Sequence, residues 1–382
     1  MRIVQVANFV SPTSGGIRTT LAHLRQGYAT AGHEPVLVVP GARDGAHRSD
    51  GATVVTVRAP RIPRSGGYRM IVDLGRVRRL LDDLDPDRVE VSDRFTLRAV
   101  GDWAAVRRVP SMVVVHERLD RLASVHLPWI LRPAVLARRD NAAVAARFDT
   151  VVSPSRWAAE EFTAAGVHDV HVVRWGVDAD VFRPDRRSAV LRRRLLGGES
   201  VLVVMVCRLS PEKQPGNALA ALAALRRRGI DARLVVAGTG QAERGLRRRA
   251  RDLPVTFLGH LRGREHVAEL LASADVAICP GPIETFGLAA LESLASGTPV
   301  VAAASGAVAE LLDEPYGAAA HGYGPAMAAA AVRLLDGGTD ARRQARAAAE
   351  GHGWDRATQH MLHLHGLADA PHGINPVAPP RP

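Results

Sequence analysis

Lysine is almost absent from this chain, and several other residue types are scarce. Of the 50 basic residues, only Lys213 is a lysine, and the others are arginines. Aromatic residues make up 4% of the chain, too few for the stacking platforms of proteins that bind single-stranded nucleic acid. Cys207 and Cys279 are the only cysteines and lie in apolar strand-like runs, which argues against a disulfide framework or a zinc cluster. No apolar run approaches the roughly 20 residues of a membrane-spanning helix, and residues 1–10 do not resemble a secretory signal.

What is present fits a globular protein of two domains. The 382 residues exceed the usual size of one hydrophobic core, and 47% of them are apolar. Strand-like and helix-like stretches alternate, pause near residues 180–198 and then resume, which predicts two parallel sheets covered by helices. Strands are predicted at 2–9, 35–40, 53–57, 112–115, 150–153, 170–174, 202–207, 233–237, 255–258, 275–279 and 299–303, and helices at 16–31, 69–84, 288–296 and 354–364.

The single lysine marks a first candidate site. Lys213 follows the strand-like run 201–207, and Arg208 lies between them. Where arginine has replaced lysine at nearly all solvated positions, a lysine is expected to remain where its compact ammonium is required. The compact ammonium of a lysine and the planar guanidinium of an arginine, both at a strand-to-helix turn, suit an anionic ligand, most simply a phosphate. The alternative interpretation is chance survival of a lysine on a solvated loop.

A second candidate site lies in the segment 279–301, which carries Glu284 and Glu292. Its proline-rich start cannot be helical, whereas an Ala/Leu-rich helix is predicted over 288–296. Free amides at such a helix start bind anions, and a glycine there lets a phosphate approach closely. The carboxylates on either side can accept hydrogen bonds from the hydroxyls of a ribose and a sugar. The amides in question belong to Phe286, Gly287 and Leu288.

Together these motifs resemble glycosyltransferase family 4, the retaining nucleotide-sugar glycosyltransferases with the GT-B fold. The resemblance spans residues 1–368 and is carried by Arg208 with Lys213 and by the Glu-x7-Glu element from Glu284 to Glu292. The stretches 61–91 and 174–194 are most similar to the branch that transfers mannose or related sugars to lipids. Supporting signatures are Ser14-Gly15-Gly16, Ser153-Pro-Ser155, Gly176-Val-Asp178, Gly238-Thr-Gly240 and Phe257-Leu-Gly259.

The resemblance implies an α/β protein with two Rossmann-like domains whose parallel sheets face a central cleft. Residues 1–185 would form the N-terminal, acceptor-side domain, and residues 186–353 the domain that binds the nucleotide sugar. A C-terminal helix over 354–368 would cross back to the N-terminal domain. The Pro-rich residues 369–382 are expected to be a disordered tail.

The resemblance also implies roles for the candidate residues. Arg208 and Lys213 would stabilise the charge that grows on the departing diphosphate, assisted by the amides around Gly287. Glu284 would hold the donor sugar, and Glu292 the ribose hydroxyls. No side chain is an evident nucleophile, which agrees with the front-face mechanism of the family. There the leaving phosphate helps to deprotonate the acceptor, so no metal and no cofactor are expected.

Further donor-binding residues are expected in the loops that follow other strands. His116 follows the predicted strand 112–115 and would contact the donor sugar from the N-terminal domain; a histidine satisfied by its own neighbours is the alternative. Gly15 and Gly16 open the first helix, and they either face the same cleft or serve as a plain turn. Gly238 lies next to the nucleobase in the family.

Two tempting metal motifs are rejected, the first for its position at the end of a helix and the second for its spacing. Asp83, Asp85 and Asp87 surround Pro86 at the end of a predicted helix. In the group His360, His363 and His365, only the first pair has the spacing of facing residues on a helix.

The formal net charge of +11 points to an anionic partner. A basic face near Met70 and Trp129 would dock on an anionic membrane, whereas a plain solvated helix face or a nucleic-acid partner are the alternatives. The arginines concerned are Arg76, Arg78, Arg79, Arg132, Arg138 and Arg139.

Three positions depart from the family pattern. Gly281 stands where serine is common and alters a loop beside Glu284. Trp175 replaces a usual Asn or Arg before Gly176, and Ala309 replaces a frequent proline.

The sequence therefore predicts a retaining hexosyltransferase that moves mannose from GDP-mannose to a hydroxyl acceptor, with a glycolipid favoured. Its expected partners are the nucleoside-diphosphate sugar, the acceptor and an anionic membrane surface, and not a nucleic acid. Its expected location is the cytoplasm, at the inner face of the plasma membrane for a lipid acceptor. Three alternatives stay open: a soluble acceptor with a UDP-sugar donor, a nucleotide-sugar epimerase on the same fold, and a basic nucleic-acid-binding protein.

Overall fold

The chain forms two compact units. A computed structural model describes residues 1–10, 15–49, 51–63, 65, 67–126 and 132–370. The first unit comprises residues 1–175 together with the chain from 354 onward, and the second comprises residues 176–353. The predicted tail falls outside the described residues from position 371.

The predicted domain boundary at 185/186 lies inside the second unit. The segment after Gly176 belongs there because Phe182 is buried and packs under the guanidinium of Arg264, 5.2 Å from its ring centre. Arg346 also donates hydrogen bonds to the carbonyls of Ala179 and Phe182, at 3.1 and 2.8 Å. These contacts hold residues 176–185 to the second unit, although the predicted boundary places them in the first domain.

The first unit is built on an eight-stranded sheet in the order β3-β4-β2-β1-β5-β6-β7-β8. All neighbouring strands are parallel except β3 and β4, which are antiparallel. The strands are β1 (Arg2–Ala7), β2 (Glu34–Gly41), β3 (Gly45–Ser49), β4 (Ala52–Arg58), β5 (Arg88–Ser92), β6 (Ser111–Val114), β7 (Thr150–Ser153) and β8 (Val170–Val172). The helices are α1 (Gly16–Thr30), α2 (Leu74–Leu84), α3 (Ala99–Arg107), α4 (Leu119–His126), α5 (Pro133–Ala145) and α6 (Arg156–Thr163).

Helix α2 begins later than the predicted start at residue 69. Arg69 instead forms an isolated antiparallel bridge with Arg61, so the chain is extended at that point. The helix is capped by Asp73, whose side chain accepts a hydrogen bond from the amide of Arg76 at 2.9 Å. The apolar residues upstream of Leu74, which suggested a longer helix, therefore lie in a loop, and Ile71 of this loop is buried in the core.

The second unit is a six-stranded, fully parallel sheet in the order β11-β10-β9-β12-β13-β14. Its core joins apolar strand residues such as Val203 and Ile278 to buried faces of the helices on either side. The strands are β9 (Val201–Val206), β10 (Ala232–Ala237), β11 (Val255–Gly259), β12 (Val276–Cys279), β13 (Val300–Ala303) and β14 (Gly317–Ala320). The helices are α7 (Ala189–Leu196), α8 (Gly216–Arg227), α9 (Glu243–Arg249), α10 (Arg264–Ser273), α11 (Leu288–Ala295), α12 (Pro325–Asp336) and α13 (Gly338–Glu350). The predicted pair of parallel sheets is confirmed.

The last helix, α14 (Trp354–Leu364), spans the predicted residues and packs on α1 in the first unit. Trp354 stacks on His23 with ring centres 4.6 Å apart. Just after the helix, His365 is buried and hydrogen-bonds Glu90 of the central strand β5 at 2.7 Å. Gln5 donates a second hydrogen bond to Glu90 at 2.6 Å. Within the described ranges, no helix is long and apolar enough to cross a membrane.

Candidate functional site

The loop after β9 holds the single lysine beside a carboxylate. A short 3-10 turn over Pro211–Lys213 leads from this strand towards α8. The Nζ of Lys213 donates a hydrogen bond to Oε1 of Glu284 at 2.5 Å. Burial alone would lower the pKa of Lys213, but the charge of Glu284 and the hydrogen bond to it together raise the pKa. Lys213 is therefore a fixed cation at neutral pH.

Arg208 lies in the same loop with a different carboxylate partner. One of its guanidinium nitrogens lies 2.8 Å from Oε1 of Glu212, and the side chain is 48% exposed. The hydroxyl of Ser210 donates to the same oxygen at 2.5 Å. Burial acts to raise the pKa of Glu212, but the hydrogen bond from Ser210 and the nearby cations lower it. Sequence reasoning missed Glu212, although its position between the two cations was a usable signal.

A glycine loop after β10 packs directly on the loop that carries Arg208. Gly238 has a φ of +133°, and a Cβ there would lie 1.9 Å from the carbonyl oxygen of Cys207. A Cβ at Gly240 would lie 2.3 Å from the carbonyl oxygen of Leu209. No other residue allows so close an approach, so these glycines fix the backbone on both sides of Arg208. Gly238 thus has a packing role, in addition to the predicted place near the nucleobase.

The start of α11 has the geometry of an anion cradle. Gly287 precedes the helix with a φ of +92°, and no side chain caps this end. A Cβ at Gly287 would lie 2.4 Å from Cγ2 of Val308. The side chain of Phe286 is buried, and Leu288 is the first helical residue. The free amides of this turn are available to an anion.

One pocket brings several predicted residues together. Lys213, Glu284 and Gly287 line it, and so do the two cysteines of the chain, Cys207 and Cys279. Burial raises the pKa of the Cys207 thiol to about 12, so this thiol is protonated at neutral pH. Arg208, Glu292 and Phe286 are not among the lining residues. The pocket therefore joins one cation, one carboxylate and one helix start of the predicted site.

Glu292 lies in a separate environment on α11. Burial raises its pKa to about 7, and Arg264 opposes that shift only in part. Arg264 is itself paired with Asp178 at 2.9 Å. A carboxyl group with a pKa near 7 accepts hydrogen bonds when it is ionised and can also donate one when it is protonated.

The loop at Gly281 explains one departure from the family pattern. A Cβ at this glycine would lie 3.3 Å from the Cα and the carbonyl oxygen of Lys213. A serine at this position would press on the lysine backbone. The glycine therefore lets the loop before Glu284 approach Lys213.

In the first unit, His116 follows β6 and lies beside the central strands. Its Nε2 is 3.0 Å from the hydroxyl of Ser92, and its ring stacks on Trp175 with ring centres 6.2 Å apart. Burial lowers the pKa of His116 to about 4, so the ring is neutral at physiological pH. The second departure from the family pattern, Trp175, thus packs against a candidate site residue.

Sequence reasoning missed two acids, the buried Asp93 and the half-buried Glu117 that follows His116. Burial raises the pKa of Glu117 to about 7, despite the opposing charge of Arg94. Burial also raises the pKa of Asp93, and its Oδ1 has no hydrogen-bond partner among the described residues. Both acids follow strands of the parallel sheet, β6 and β5, and that position was the available signal.

Gly15 and Gly16 lie at the start of α1 as predicted. Gly15 is the N-cap and no side chain bonds to this end of the helix. A Cβ at Gly15 would meet no described atom within 4 Å. Local packing therefore does not explain the glycine.

The rejected metal motifs have other contacts. Asp87 accepts a hydrogen bond from the amide of Arg2 at 2.6 Å, and Asp85 ends α2 in a left-handed conformation. His363 is 3.2 Å from the carbonyl of Ala368, away from the Glu90 contact of His365. Over the part of the chain that the structure describes, no three His, Cys, Asp or Glu side chains have metal-ligand geometry.

The fold has two α/β units, and the second carries two cations and a free helix start at its strand ends, features that suit an anionic ligand such as a phosphate. Two family descriptions match the chain: "Glycosyl transferase 4-like domain" over residues 15–178 and "Glycosyl transferases group 1" over residues 190–352. The chain belongs to glycosyltransferase family 4 and is a hexosyltransferase with the GT-B fold.

Similar proteins include an enzyme of Mycobacterium tuberculosis (strain H37Ra), a GDP-mannose-dependent alpha-(1-6)-phosphatidylinositol dimannoside mannosyltransferase. The identity is 46% over 367 residues, which cover 95% of either chain. A GDP-mannose-dependent alpha-mannosyltransferase of M. tuberculosis (strain CDC 1551) is 32% identical, over 82% of this chain and 81% of that relative. The crystal structure of sucrose-phosphate synthase from Thermosynechococcus elongatus shares the fold, with a TM-score of 0.76 and 17% identity over 96% of this chain and 98% of that one.

Proposed function

We propose that this protein transfers mannose, with retention of configuration, from GDP-mannose to a hydroxyl group of a phosphatidylinositol-bearing glycolipid. The observation that carries the proposal is the 46% identity to the M. tuberculosis phosphatidylinositol dimannoside mannosyltransferase over almost the full length of both chains. The more distant mannosyltransferase relative also uses GDP-mannose according to its name. The donor is therefore supported by two relatives, and the acceptor class by the first relative alone.

The pocket of the second unit suits the diphosphate of this donor. Lys213 supplies one positive charge in the pocket, Arg208 supplies another from the same loop outside the pocket, and the amides before α11 supply hydrogen-bond donors. When the bond between the sugar and the diphosphate breaks, negative charge grows on the leaving oxygen, and fixed cations stabilise it without reorganisation. The carboxylate of Glu284, held by Lys213 at 2.5 Å, is then oriented to accept hydrogen bonds from the sugar. Glu292 is assigned to the ribose hydroxyls.

The residues of the first unit suit uncharged hydroxyl groups. His116 is neutral, and its imidazole has one nitrogen that donates and one that accepts. In the absence of a side-chain nucleophile, the leaving phosphate takes the proton of the acceptor hydroxyl. Neither Arg208 nor Lys213 can accept that proton at neutral pH, and their role is to hold the phosphate that does.

The proposed lipid acceptor requires contact with a membrane, and helix α5 offers a surface for it. Val135 and Leu136 are exposed by 41% and 46% at the start of this helix. Arg132, Arg138 and Arg139 are exposed beside them. Apolar side chains flanked by arginines suit the interface of an anionic bilayer. Trp129, from the same predicted face, falls outside the described residues, and Met70 is half-buried.

A donor and acceptor screen tests the proposal directly. Purified protein is incubated with GDP-mannose or UDP-glucose, with and without phosphatidylinositol mannosides, and the products are separated by mass. Transfer from GDP-mannose to the glycolipid is expected, and the new anomeric bond should be α by NMR. Consumption of the donor without any acceptor, giving an epimeric sugar nucleotide, would indicate the epimerase alternative. Transfer only from UDP-glucose to a soluble acceptor would overturn both the donor and the acceptor assignment.

Vesicle sedimentation tests the membrane contact separately. Vesicles that contain phosphatidylinositol should bind the protein at low salt and release it at high salt, because each arginine near the surface contributes roughly 1 kcal/mol. The variant Arg138→Glu/Arg139→Glu should lose this binding, whereas Arg227→Glu/Arg228→Glu in the second unit should retain it. Equal and negligible binding to anionic and neutral vesicles would contradict the membrane contact and leave the donor assignment standing.

A further inference from the structure

Helix α9 and the turn after it carry four arginines on one face. Arg244, Arg247, Arg248 and Arg251 follow the spacing i, i+3, i+4, i+7, which places them along one side of a helical segment. All four line a single open pocket, together with Glu243 and the backbone of Gly240 and Gln241. This pocket is distinct from the one that holds Lys213 and Glu284.

One of these arginines is fixed in place. Arg247 lies 2.9 Å from Glu243 and stacks over the ring of Phe257, with the guanidinium carbon 4.5 Å from the ring centre. Across the described ranges, Arg244, Arg248 and Arg251 form no ion pair. Like charges at these helical spacings repel each other, and one glutamate cannot neutralise four guanidinium groups.

We propose that this pocket binds a soluble ligand with clustered phosphate groups. Guanidinium groups bind phosphate oxygens through paired hydrogen bonds, and a bound polyanion would relieve the repulsion within the cluster. The residues that line the pocket are polar or charged apart from a glycine, whereas a site for a bilayer would also present apolar side chains, so a soluble ligand is favoured. Because a Cβ at Gly240 would lie 2.3 Å from the Leu209 carbonyl oxygen, the pocket lies next to the loop that carries Arg208. In this proposal it is a second anion site of the unit.

Calorimetric titration with inorganic tripolyphosphate at physiological salt tests the proposal. The donor pocket also attracts phosphates, so the titration is run on Lys213→Ala as the background. The variant Arg248→Ala/Arg251→Ala should lose at least about tenfold in affinity, as expected for the loss of charge-assisted contacts. The matched control is Arg227→Ala/Arg228→Ala, which removes two exposed arginines from the end of α8 in the same unit. This control should stay within about twofold.

Thermal unfolding separates a binding role from a structural one. Because Arg248→Ala/Arg251→Ala removes mutual repulsion, its melting temperature without ligand should equal or exceed that of the unchanged background. Tripolyphosphate should then raise the melting temperature of the background and of the control, but not that of this variant. An equal loss of affinity in both double variants would show that binding depends only on the net charge of the protein, and would overturn the proposal. Absence of tripolyphosphate binding, or binding only to anionic vesicles, would overturn it as well.

Discussion

The strand ends of the two units carry opposite kinds of chemistry. In the second unit, Lys213 and Arg208 are permanent cations, each held by a carboxylate. In the first unit, His116 is neutral, and Glu117 has a pKa raised by burial to about 7. Fixed charges suit an anion such as a diphosphate, whereas neutral groups that donate and accept suit hydroxyls. Under the proposed function, the charged strand ends of the second unit would serve the leaving group, and the neutral strand ends of the first unit would serve the sugar or the acceptor.

The glycines of the two units also differ in how closely the surrounding chain packs against them. In the second unit, Gly238 and Gly287 are required by close approaches of the chain to Cys207 and Val308. In the first unit, a side chain at Gly15 would meet no described atom within 4 Å. The anion pocket is thus fixed by packing, whereas the open helix start at Gly15 is free to face a ligand.

The largest effect is expected from removing the fixed charges of the second unit. Lys213→Ala and Arg208→Ala should each reduce kcat by at least about 10²-fold, as loss of a charge contact in the transition state does. Steady-state kinetics with GDP-mannose and the glycolipid acceptor measure this.

Lys213→Arg separates charge from shape at the same position. It should also be impaired, because the planar guanidinium is larger than the ammonium, which lies 2.5 Å from Glu284 in a pocket that Cys207 and Cys279 also line. Full activity of this variant would mean that the single lysine reflects composition alone.

A smaller effect is expected from adding a methyl group at the two glycines. Gly287→Ala forces a positive φ on alanine and a clash with Val308, which should cost about 2–4 kcal/mol of stability and disorder the start of α11. Gly15→Ala should leave the melting temperature unchanged, while a loss of activity in it would indicate that a ligand approaches the backbone there. Thermal unfolding and kinetics on both variants make the comparison. A stable, fully active Gly287→Ala would contradict the packed cradle.

The sequence was sufficient to predict the helices whose ends are marked by particular residues. The helix at 354–364 was predicted to begin at Trp354, where the structure places its start. The start of α11 was predicted from the prolines and Gly287 that precede it. Arg208, Lys213 and Glu284 could be selected because charged residues at a strand end are conspicuous. Their pairing could not be predicted, since it depends on which loop lies beside which in the folded sheet.

Other features depend on long-range packing and left no local signal. The start of α2 was misplaced because Arg69 pairs with Arg61, a contact that helical periodicity does not reveal. The end of the first compact unit at Trp175 could not be predicted, because Phe182 and Arg346 meet only in the folded second unit. Glu117 escaped notice because its raised pKa arises from burial, which a single glutamate in a sequence does not announce.

The next prediction concerns the titrating acid of the first unit. The pKa of Glu117 is raised from its ordinary value to about 7 in the folded protein, so the unfolded chain ionises this group at lower pH. Its contribution therefore favours folding at acidic pH and is lost as pH rises through about 7. Glu117→Gln should be relatively more stable than the parent at pH 8 than at pH 5, by on the order of 2 kcal/mol. Urea unfolding at both pH values measures the difference, and a pH-independent difference would refute the assignment.

The smallest effect is expected from chelation, where turnover should not change. In the proposed mechanism Lys213 and Arg208 neutralise the charge of the departing diphosphate. Although burial lowers the pKa of Lys213, its pairing with Glu284 raises it overall, so this cation persists across neutral pH. A divalent ion would compete with these cations for the same phosphate oxygens. Initial rates with EDTA, and then with added Mg²⁺ or Mn²⁺, should therefore agree within about twofold, a difference of less than about 0.5 kcal/mol in activation free energy. If EDTA abolished turnover and Mg²⁺ restored it, the two cations would be insufficient, and the contrast between a charged second unit and a neutral first unit would need a bound metal to complete it.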